Sequence, residues 1–124
     1  MTYVLGFDHV QVAMPRGEED RARAFYSGLL GLKEIPKPGA TAGRGGIWFE
    51  CGQLQLHLGV EEPFAPARKA HPALRIRGYD ELLAGLIASG YRVVQDTSLP
   101  GVARSFVSDP FGNRVELIDG GNAA

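Results

Sequence analysis

The sequence predicts an α+β fold in which one order of elements, a strand, a helix and then three strands, occurs twice. Apolar residues alternate along several short segments and recur at helical spacing in two others, which is typical of a mixed architecture. His71 follows His9 by 62 positions and Gly90 follows Gly31 by 59, so landmarks of the first half return in the second. We therefore expect one domain of 1–124, with a first module at about 5–60, a connector at about 61–70 and a second module at about 71–119.

The first module begins with an alternating strand at 7–13. Acidic residues at 18–20 then mark the first turn of a helix, where the helix dipole favours negative charge. Apolar residues recur at helical spacing between positions 22 and 30, which gives this helix one buried side. The module is completed by a short strand at 32–35 and a hairpin with arms at 47–51 and 54–59.

The second module repeats this order. A strand at 73–77 leads into a helix at 79–89 that carries leucine and isoleucine on one side and stops at Gly90. The remaining strands are a short one at 91–95 and the two arms of a hairpin at 104–108 and 114–118. The segment 109–113, Asp-Pro-Phe-Gly-Asn, consists mostly of residues that favour turns and joins these arms.

The composition of the chain limits the kinds of binding partner and the cellular location that we expect. A net charge of -1 gives no reason to expect binding to nucleic acid or to an anionic membrane, and no apolar run is long enough to cross a bilayer. The one cysteine excludes an internal disulfide framework and suits a reducing compartment. The first residues lack the pattern of a signal peptide, so the expected location is cytoplasmic.

The strands carry an unusually polar side that includes all three histidines of the chain. A solvated sheet face would favour Thr, Lys, Glu and Ser and would not collect every histidine. This side therefore indicates a site. Its members are His9, Gln11, Gln53, Gln55, His57, His71, Arg75, Arg77, Arg114 and Glu116.

Four segments together resemble the vicinal oxygen chelate superfamily, which includes glyoxalase I, extradiol dioxygenases, fosfomycin-resistance transferases and bleomycin-binding proteins. The resemblance extends over 7–118 and is carried by "FDHVQVAM", "ARAFYSGLLGLKE", "HPALRIRGYDELLAGLIASG" and "VSDPFGNRVELID". Each segment is weak alone, but their order within a duplicated plan is specific. The resemblance implies a glyoxalase-like fold, in which two βαβββ modules form a cupped mixed sheet around a divalent metal.

The metal ligands that the resemblance implies are His9, His71 and Glu116. A fourth ligand would come from the last strand of the first module, where His57 and Gln55 are both candidates and the module offset does not choose between them. Imidazole and carboxylate ligands suit a divalent transition metal (Fe, Mn, Ni, Co or Zn) and leave coordination positions open. Glu116 is also the candidate catalytic base.

Such a metal would bind two adjacent oxygens of a small substrate and stabilise the charge that develops on them. Arg75 and Arg77 on the polar side could orient an anionic group of that substrate. Alternatively, they could form ion pairs with acidic residues at the surface. Pairing of Arg114 with Glu116 would argue against a metal there. The candidate substrate-binding residues are Gln11, Gln55, His57, Arg75, Arg77 and Trp48.

Taken together, the residues and the resemblance predict a metal-dependent enzyme, a glyoxalase-like lyase or isomerase that acts on a small oxygenated metabolite. One alternative is a metal-free protein that binds a small molecule, as in the bleomycin-resistance branch, and another is a small dioxygenase. A homodimer is expected, because modules of this superfamily commonly complete their sheet or cup across a two-fold axis.

Overall fold

A computed structural model describes residues 1–121 of the chain. The chain divides into two compact units, Met1–Ala65 and Pro66–Ala124. Each unit contains a four-stranded mixed sheet and helical structure, in the order strand, helix and three strands. The protein therefore has the predicted α+β fold with two βαβββ units.

The sheet of the first unit has the spatial order β1-β4-β3-β2. Its first and last strands in sequence, β1 and β4, run parallel to each other, and the other neighbours are antiparallel. A parallel pair needs a long crossover, which the helix and the two strands between them supply. The strands are β1 (Val10–Met14), β2 (Lys33–Ile35), β3 (Ile47–Cys51) and β4 (Leu54–Val60).

The helix of the first unit changes form along its length. It begins as α1 (Glu19–Ala22) and continues directly as a π-helix over Arg23–Leu29. The wider turn is marked by the hydrogen bond from the Leu30 amide to the Phe25 carbonyl, 3.0 Å. Phe25 and its neighbour Tyr26 are both fully buried, and Tyr26 packs against Phe49 of β3. Apolar spacing predicted the helix but not this form, because both forms bury these residues.

The sheet of the second unit has the equivalent order β5-β8-β7-β6, with β5 and β8 parallel. Ala73 lies opposite Glu116, and Glu116 lies opposite Phe106 on its other side. The strands are β5 (Ala73–Ile76), β6 (Val93–Gln95), β7 (Arg104–Ser108) and β8 (Arg114–Asp119).

The helix α2 (Tyr79–Ala88) lies between β5 and β6 in sequence and contributes Leu86 to the core of the second unit. Val115 and Leu117 are fully buried on β8, so alternate residues of this strand belong to the core. The hydroxyl groups of Tyr79 and Ser105 lie 2.5 Å apart and join the start of α2 to β7.

The turn between β7 and β8 is ordered by Asp109, which is buried. Its carboxylate accepts hydrogen bonds from the Phe111 amide, 2.9 Å, and from the Asn113 amide, 2.8 Å. The Asn113 side chain donates a third, 2.9 Å. This local network fixes the register of the hairpin that carries Arg114 and Glu116.

Several strands are shorter than predicted. Because β1 starts at Val10 and β5 starts at Ala73, His9 and His71 lie just before these strands and not within them. Arg77 lies just beyond the end of β5. Among the described residues, no helix is both long and apolar enough to cross a membrane.

Candidate functional site

The second unit brings His71 and Glu116 into direct contact. His71 lies two residues before β5, and Glu116 lies in β8 opposite Ala73, so the parallel pairing of these strands sets the two side chains side by side. His71 Nε2 and Glu116 Oε1 are 2.9 Å apart. The Glu116 side chain is only 8% exposed and that of His71 is 24% exposed, which strengthens their interaction.

The other ring nitrogen of His71 determines what this contact means. Nδ1 lies 2.8 Å from the carbonyl oxygen of Lys69, which can only accept a hydrogen bond, so Nδ1 carries a proton. A neutral His71 then presents an unshared electron pair at Nε2 to an oxygen of Glu116. Two acceptors at this distance require a proton or a metal ion between them.

Glu116 is held in its ionised form. Burial acts to raise the pKa of its carboxyl, but hydrogen bonds from His71 and Arg104 and their positive charges outweigh burial and leave that pKa below its ordinary value. Arg104 Nη1 donates to Glu116 Oε2 at 3.0 Å. The two carboxylate oxygens therefore have different partners, with Oε1 facing His71 and Oε2 facing Arg104.

Arg104 also binds a second carboxylate. Its Nη2 donates to Asp96 Oδ2 at 2.8 Å and to the Ser98 hydroxyl at 2.9 Å. Among the described residues, Arg104 Nε is a buried donor without a partner. The residue that pairs with Glu116 is thus Arg104, and the suggested pairing of Arg114 with Glu116 is wrong.

The ring of Phe106 lies between charged groups on the same face. The Arg114 guanidinium carbon is 3.8 Å from its centroid, and His71 approaches with ring centroids 5.3 Å apart and planes at 83°. Neither Arg104 nor the role of Phe106 was predicted from the sequence. The alternation of Arg104, Phe106 and Ser108 in β7 would have placed all three on this face.

The first unit stacks three rings on the polar face of its sheet. The Trp48 and His57 rings are parallel with centroids 3.8 Å apart, because Trp48 lies opposite His57 in the pairing of β3 with β4. The His57 and His9 rings follow at 4.2 Å with an angle of 18°. His57 is 3% exposed, so the stack shields it from water.

Hydrogen bonds fix the tautomers of these two histidines. His9 Nδ1 lies 2.9 Å from the carboxylate of Asp8, so Nδ1 is the donor and Nε2 is free to bind a cation. His57 Nε2 lies 2.9 Å from the amide oxygen of Gln55, which leaves Nδ1 as its free acceptor. Burial lowers the pKa of His57 and a positive charge on His9 lowers it further, whereas Asp8 acts to raise it.

The strand registers distinguish the two candidates for a fourth ligand. Gln11 lies opposite His57 in the first unit, and Ala73 lies opposite Glu116 in the second. Ala73 follows Gln11 by 62 positions, the same separation as His71 from His9. His57 is therefore the counterpart of Glu116, and Gln55 is a hydrogen-bond partner of His57. The spacing of residues in the sequence cannot distinguish Gln55 from His57, whereas the pairing of the strands can.

The remaining candidates occupy less enclosed positions. Gln11 is exposed, with its amide group over Gly59, where a side chain would meet Gln11 Nε2 at 2.7 Å. Arg75 and Arg77 are exposed. Trp48, by contrast, is half-buried and stacks on His57.

The donor chemistry of the His71–Glu116 pair fits a divalent metal. Two ligand atoms about 2.1 Å from a metal and at right angles to each other lie about 3.0 Å apart, close to the spacing that the pair shows. The Lys69 carbonyl orients His71 as the partners of metal-bound histidines do. Within the part of the chain that the structure describes, no three His, Cys, Asp or Glu side chains are grouped so as to hold a metal.

The paired βαβββ units and their strand order define a glyoxalase-like fold. The chain belongs to the Glyoxalase/Bleomycin resistance protein/Dioxygenase superfamily, whose family model matches residues 6–117. The predicted resemblance to the vicinal oxygen chelate superfamily is thus confirmed. A comparison with curated proteins gives no match.

Solved structures share the fold. A Bacillus anthracis protein described as belonging to the glyoxalase family is 50% identical to this chain, with a TM-score of 0.91. The alignment includes 96% of this chain and 98% of that protein. Lactoylglutathione lyase from Agrobacterium tumefaciens is 21% identical, with a TM-score of 0.70 and 96% of both chains covered. TnmS3, an antibiotic binding protein from Streptomyces sp. CB03234, is also 21% identical, with a TM-score of 0.70, and 94% of this chain covers 98% of it.

Proposed function

We propose that the protein is a divalent-metal-dependent enzyme of this superfamily, a glyoxalase-like lyase or isomerase acting on a small oxygenated metabolite. His71 and Glu116 are two of the proposed ligands, and His9 is the third that the resemblance implies. The observation that carries the proposal is the 2.9 Å contact of His71 Nε2 with Glu116 Oε1, because both are atoms that ligate divalent metals and their spacing suits two ligands of one ion. The orientation of His9 by Asp8 supports the same role, since it leaves Nε2 free.

A divalent metal bound there would supply Lewis acidity toward two adjacent oxygens of a substrate. Glu116 Oε1 would hold the proton removed from the substrate carbon, as the general base of the site. Arg104 keeps Oε2 occupied, so Oε1 is the oxygen available to ligate or to accept a proton. The identity of the metal among Fe, Mn, Ni, Co and Zn stays open, because imidazole and carboxylate ligands suit all of them.

His57 is the proposed fourth ligand in place of Gln55. Its free Nδ1 and its lowered pKa keep it a neutral donor near pH 7, which metal binding requires. Gln55 would then orient His57, and Trp48 would keep water from its ring face. Gln11, which is exposed, remains a proposed substrate contact.

Assembly and location belong to the same proposal. We expect a homodimer, which light scattering of the purified protein would test by its mass relative to the 13.3 kDa chain. A monomer at micromolar concentration would contradict it. A cytoplasmic location is expected as well and would be tested by fractionating cells that produce the protein.

One observation favours a second candidate function, metal-free binding of a small molecule. Arg104 already neutralises Glu116, and a doubly protonated His71 would complete the network without any metal. The antibiotic binding protein with this fold supports that alternative, since enzymes and binding proteins share the architecture. A small dioxygenase would use the same ligands with iron.

The first test is the metal content of the wild type and of His71→Ala, both purified without chelators or metal-affinity resin. We expect near-stoichiometric transition metal in the wild type and at least about tenfold weaker binding in the variant, because it loses a ligand. Lys69→Ala is the matched control, since only the backbone of Lys69 contacts His71. A wild type that stays empty after incubation with each candidate metal would reject the enzyme proposal in favour of metal-free binding.

A further inference from the structure

Arg114 is a half-buried residue of β8, and no function has yet been assigned to its side chain. Its guanidinium carbon lies 3.8 Å from the Phe106 centroid, so the group is stacked on the ring. Among the described residues, no carboxylate forms an ion pair with it. Its positive charge helps to lower the pKa of Asp96, but the Asp96 carboxylate itself is hydrogen-bonded to Arg104 and Ser98.

Glu116 and Asp96 already have another cationic partner than Arg114. Arg104 is shared between two carboxylates, Glu116 and Asp96. Neither of these carboxylates forms an ion pair with Arg114. An uncompensated, partly desolvated cation attracts an anionic ligand more strongly than an exposed one does.

Arg114 lies on the same face as the proposed reacting groups. It precedes Glu116 by two residues in β8, so both side chains point to one side of the sheet. The Phe106 ring that supports Arg114 also contacts His71 edge-on, 5.3 Å between centroids. A ligand held by Arg114 would therefore lie beside the His71–Glu116 pair.

We propose that Arg114 binds an oxyanion group of the substrate, a carboxylate or a phosphonate. The proposal rests on the proposed function, because it names the substrate class for that site. A guanidinium is a planar fork that matches two oxygens at once, and stacking on Phe106 leaves its N–H edges free. Since the stack already fixes the side chain, less conformational entropy is lost on binding. Arg75 and Arg77, the predicted anion contacts, are exposed and less favourable for this role.

The test compares lactate with its neutral isostere lactamide by calorimetry, using metal-free protein so that no metal contributes to the preference. We expect the wild type to bind lactate about tenfold to a hundredfold more tightly than lactamide, as charge-assisted hydrogen bonds allow. Arg114→Met should abolish this preference, and Arg114→Lys should retain part of it. Arg92→Met is the matched control, since it removes an exposed arginine of the same unit that lies outside the β-strands.

Methylphosphonate in place of lactate distinguishes the two oxyanions, and failure of the wild type to bind either one overturns the proposal. A preference that survives in Arg114→Met, or that is lost in Arg75→Met and not in Arg114→Met, also overturns it. If Arg114→Met does not fold, Phe106→Leu replaces it and should weaken lactate binding by removing the stack. Metal analysis is separate, so an empty wild type that prefers lactate would reject the proposed enzyme and retain the anion site.

Discussion

At the scale of single residues, Arg104 joins two carboxylates of the second unit. It donates to Glu116 and Asp96, whose side chains are 8% and 26% exposed, while its own side chain is 16% exposed. Removing it would leave the buried carboxylate of Glu116 without the arginine partner of its Oε2 atom. Such a loss costs far more than breaking a pair at the surface.

We therefore expect Arg104→Met to lower the free energy of unfolding by about 2–4 kcal/mol, measured by urea denaturation at pH 7. Arg16→Met is the matched control, because Arg16 and Glu62 form an ion pair in which both side chains are about 60% exposed. Its cost should not exceed about 1 kcal/mol. Equal losses in the two variants would mean that Arg104 does not stabilise Glu116.

Some residues of the second unit's polar face were predicted from the sequence, and others were not. His71 and Glu116 were predicted as ligands because a resemblance implied these roles, and the structure places the two side chains in contact. Arg104 was missed because its partners, Asp96 and Glu116, lie 8 and 12 positions away, and only strand pairing brings them together. Long-range ion pairs of this kind leave no periodic signal in a sequence.

At the scale of elements, the loop before β3 is held close to β4 by Gly46. Its φ is +89°, and a Cβ atom there would lie 2.3 Å from the Leu58 carbonyl oxygen. Its amide donates to the Glu19 carboxylate at 2.9 Å, which connects this loop to the start of α1. A residue other than glycine would have to move the backbone of β4, the strand that carries His57.

Gly46→Ala is expected to destabilise the protein by about 1–3 kcal/mol or more, since both the φ angle and the close contact oppose a side chain. Thermal unfolding followed by circular dichroism would measure the loss. Gly43→Ala is the matched control from the same loop, because a Cβ at Gly43 meets no atom within 4 Å. If the two variants unfold at the same temperature, Gly46 does not restrict this loop.

Element order was predictable because the apolar periodicity differs between strands and helices. The ends of the elements were less predictable: β1 begins at Val10, after His9, and β5 ends at Ile76, before Arg77. Strand ends depend on hydrogen bonds to a neighbouring strand, which the sequence of one strand does not encode. The proposal of His57 in place of Gln55 depends on the same pairing, since the register of β1 with β4 places Gln11 opposite His57.

At the scale of the whole molecule, the two units share one plan but carry different chemistry. The polar face of the first unit holds three stacked rings, Trp48, His57 and His9. The face of the second unit holds an ionic network built around Glu116. The repeated plan was visible in the spacing of glycines and histidines. The difference in chemistry between the two units was not visible in the sequence, because it depends on which side chains the strand pairing brings into contact.

The stack of Trp48 on His57 has a practical consequence. Trp48 is the chain's sole tryptophan, and it lies in the first unit. Selective excitation at long ultraviolet wavelengths therefore produces light from the first unit alone, whereas circular dichroism of the backbone reports on both. Comparing the two signals during denaturation would reveal whether the halves of this duplicated chain melt as one cooperative body or one after the other.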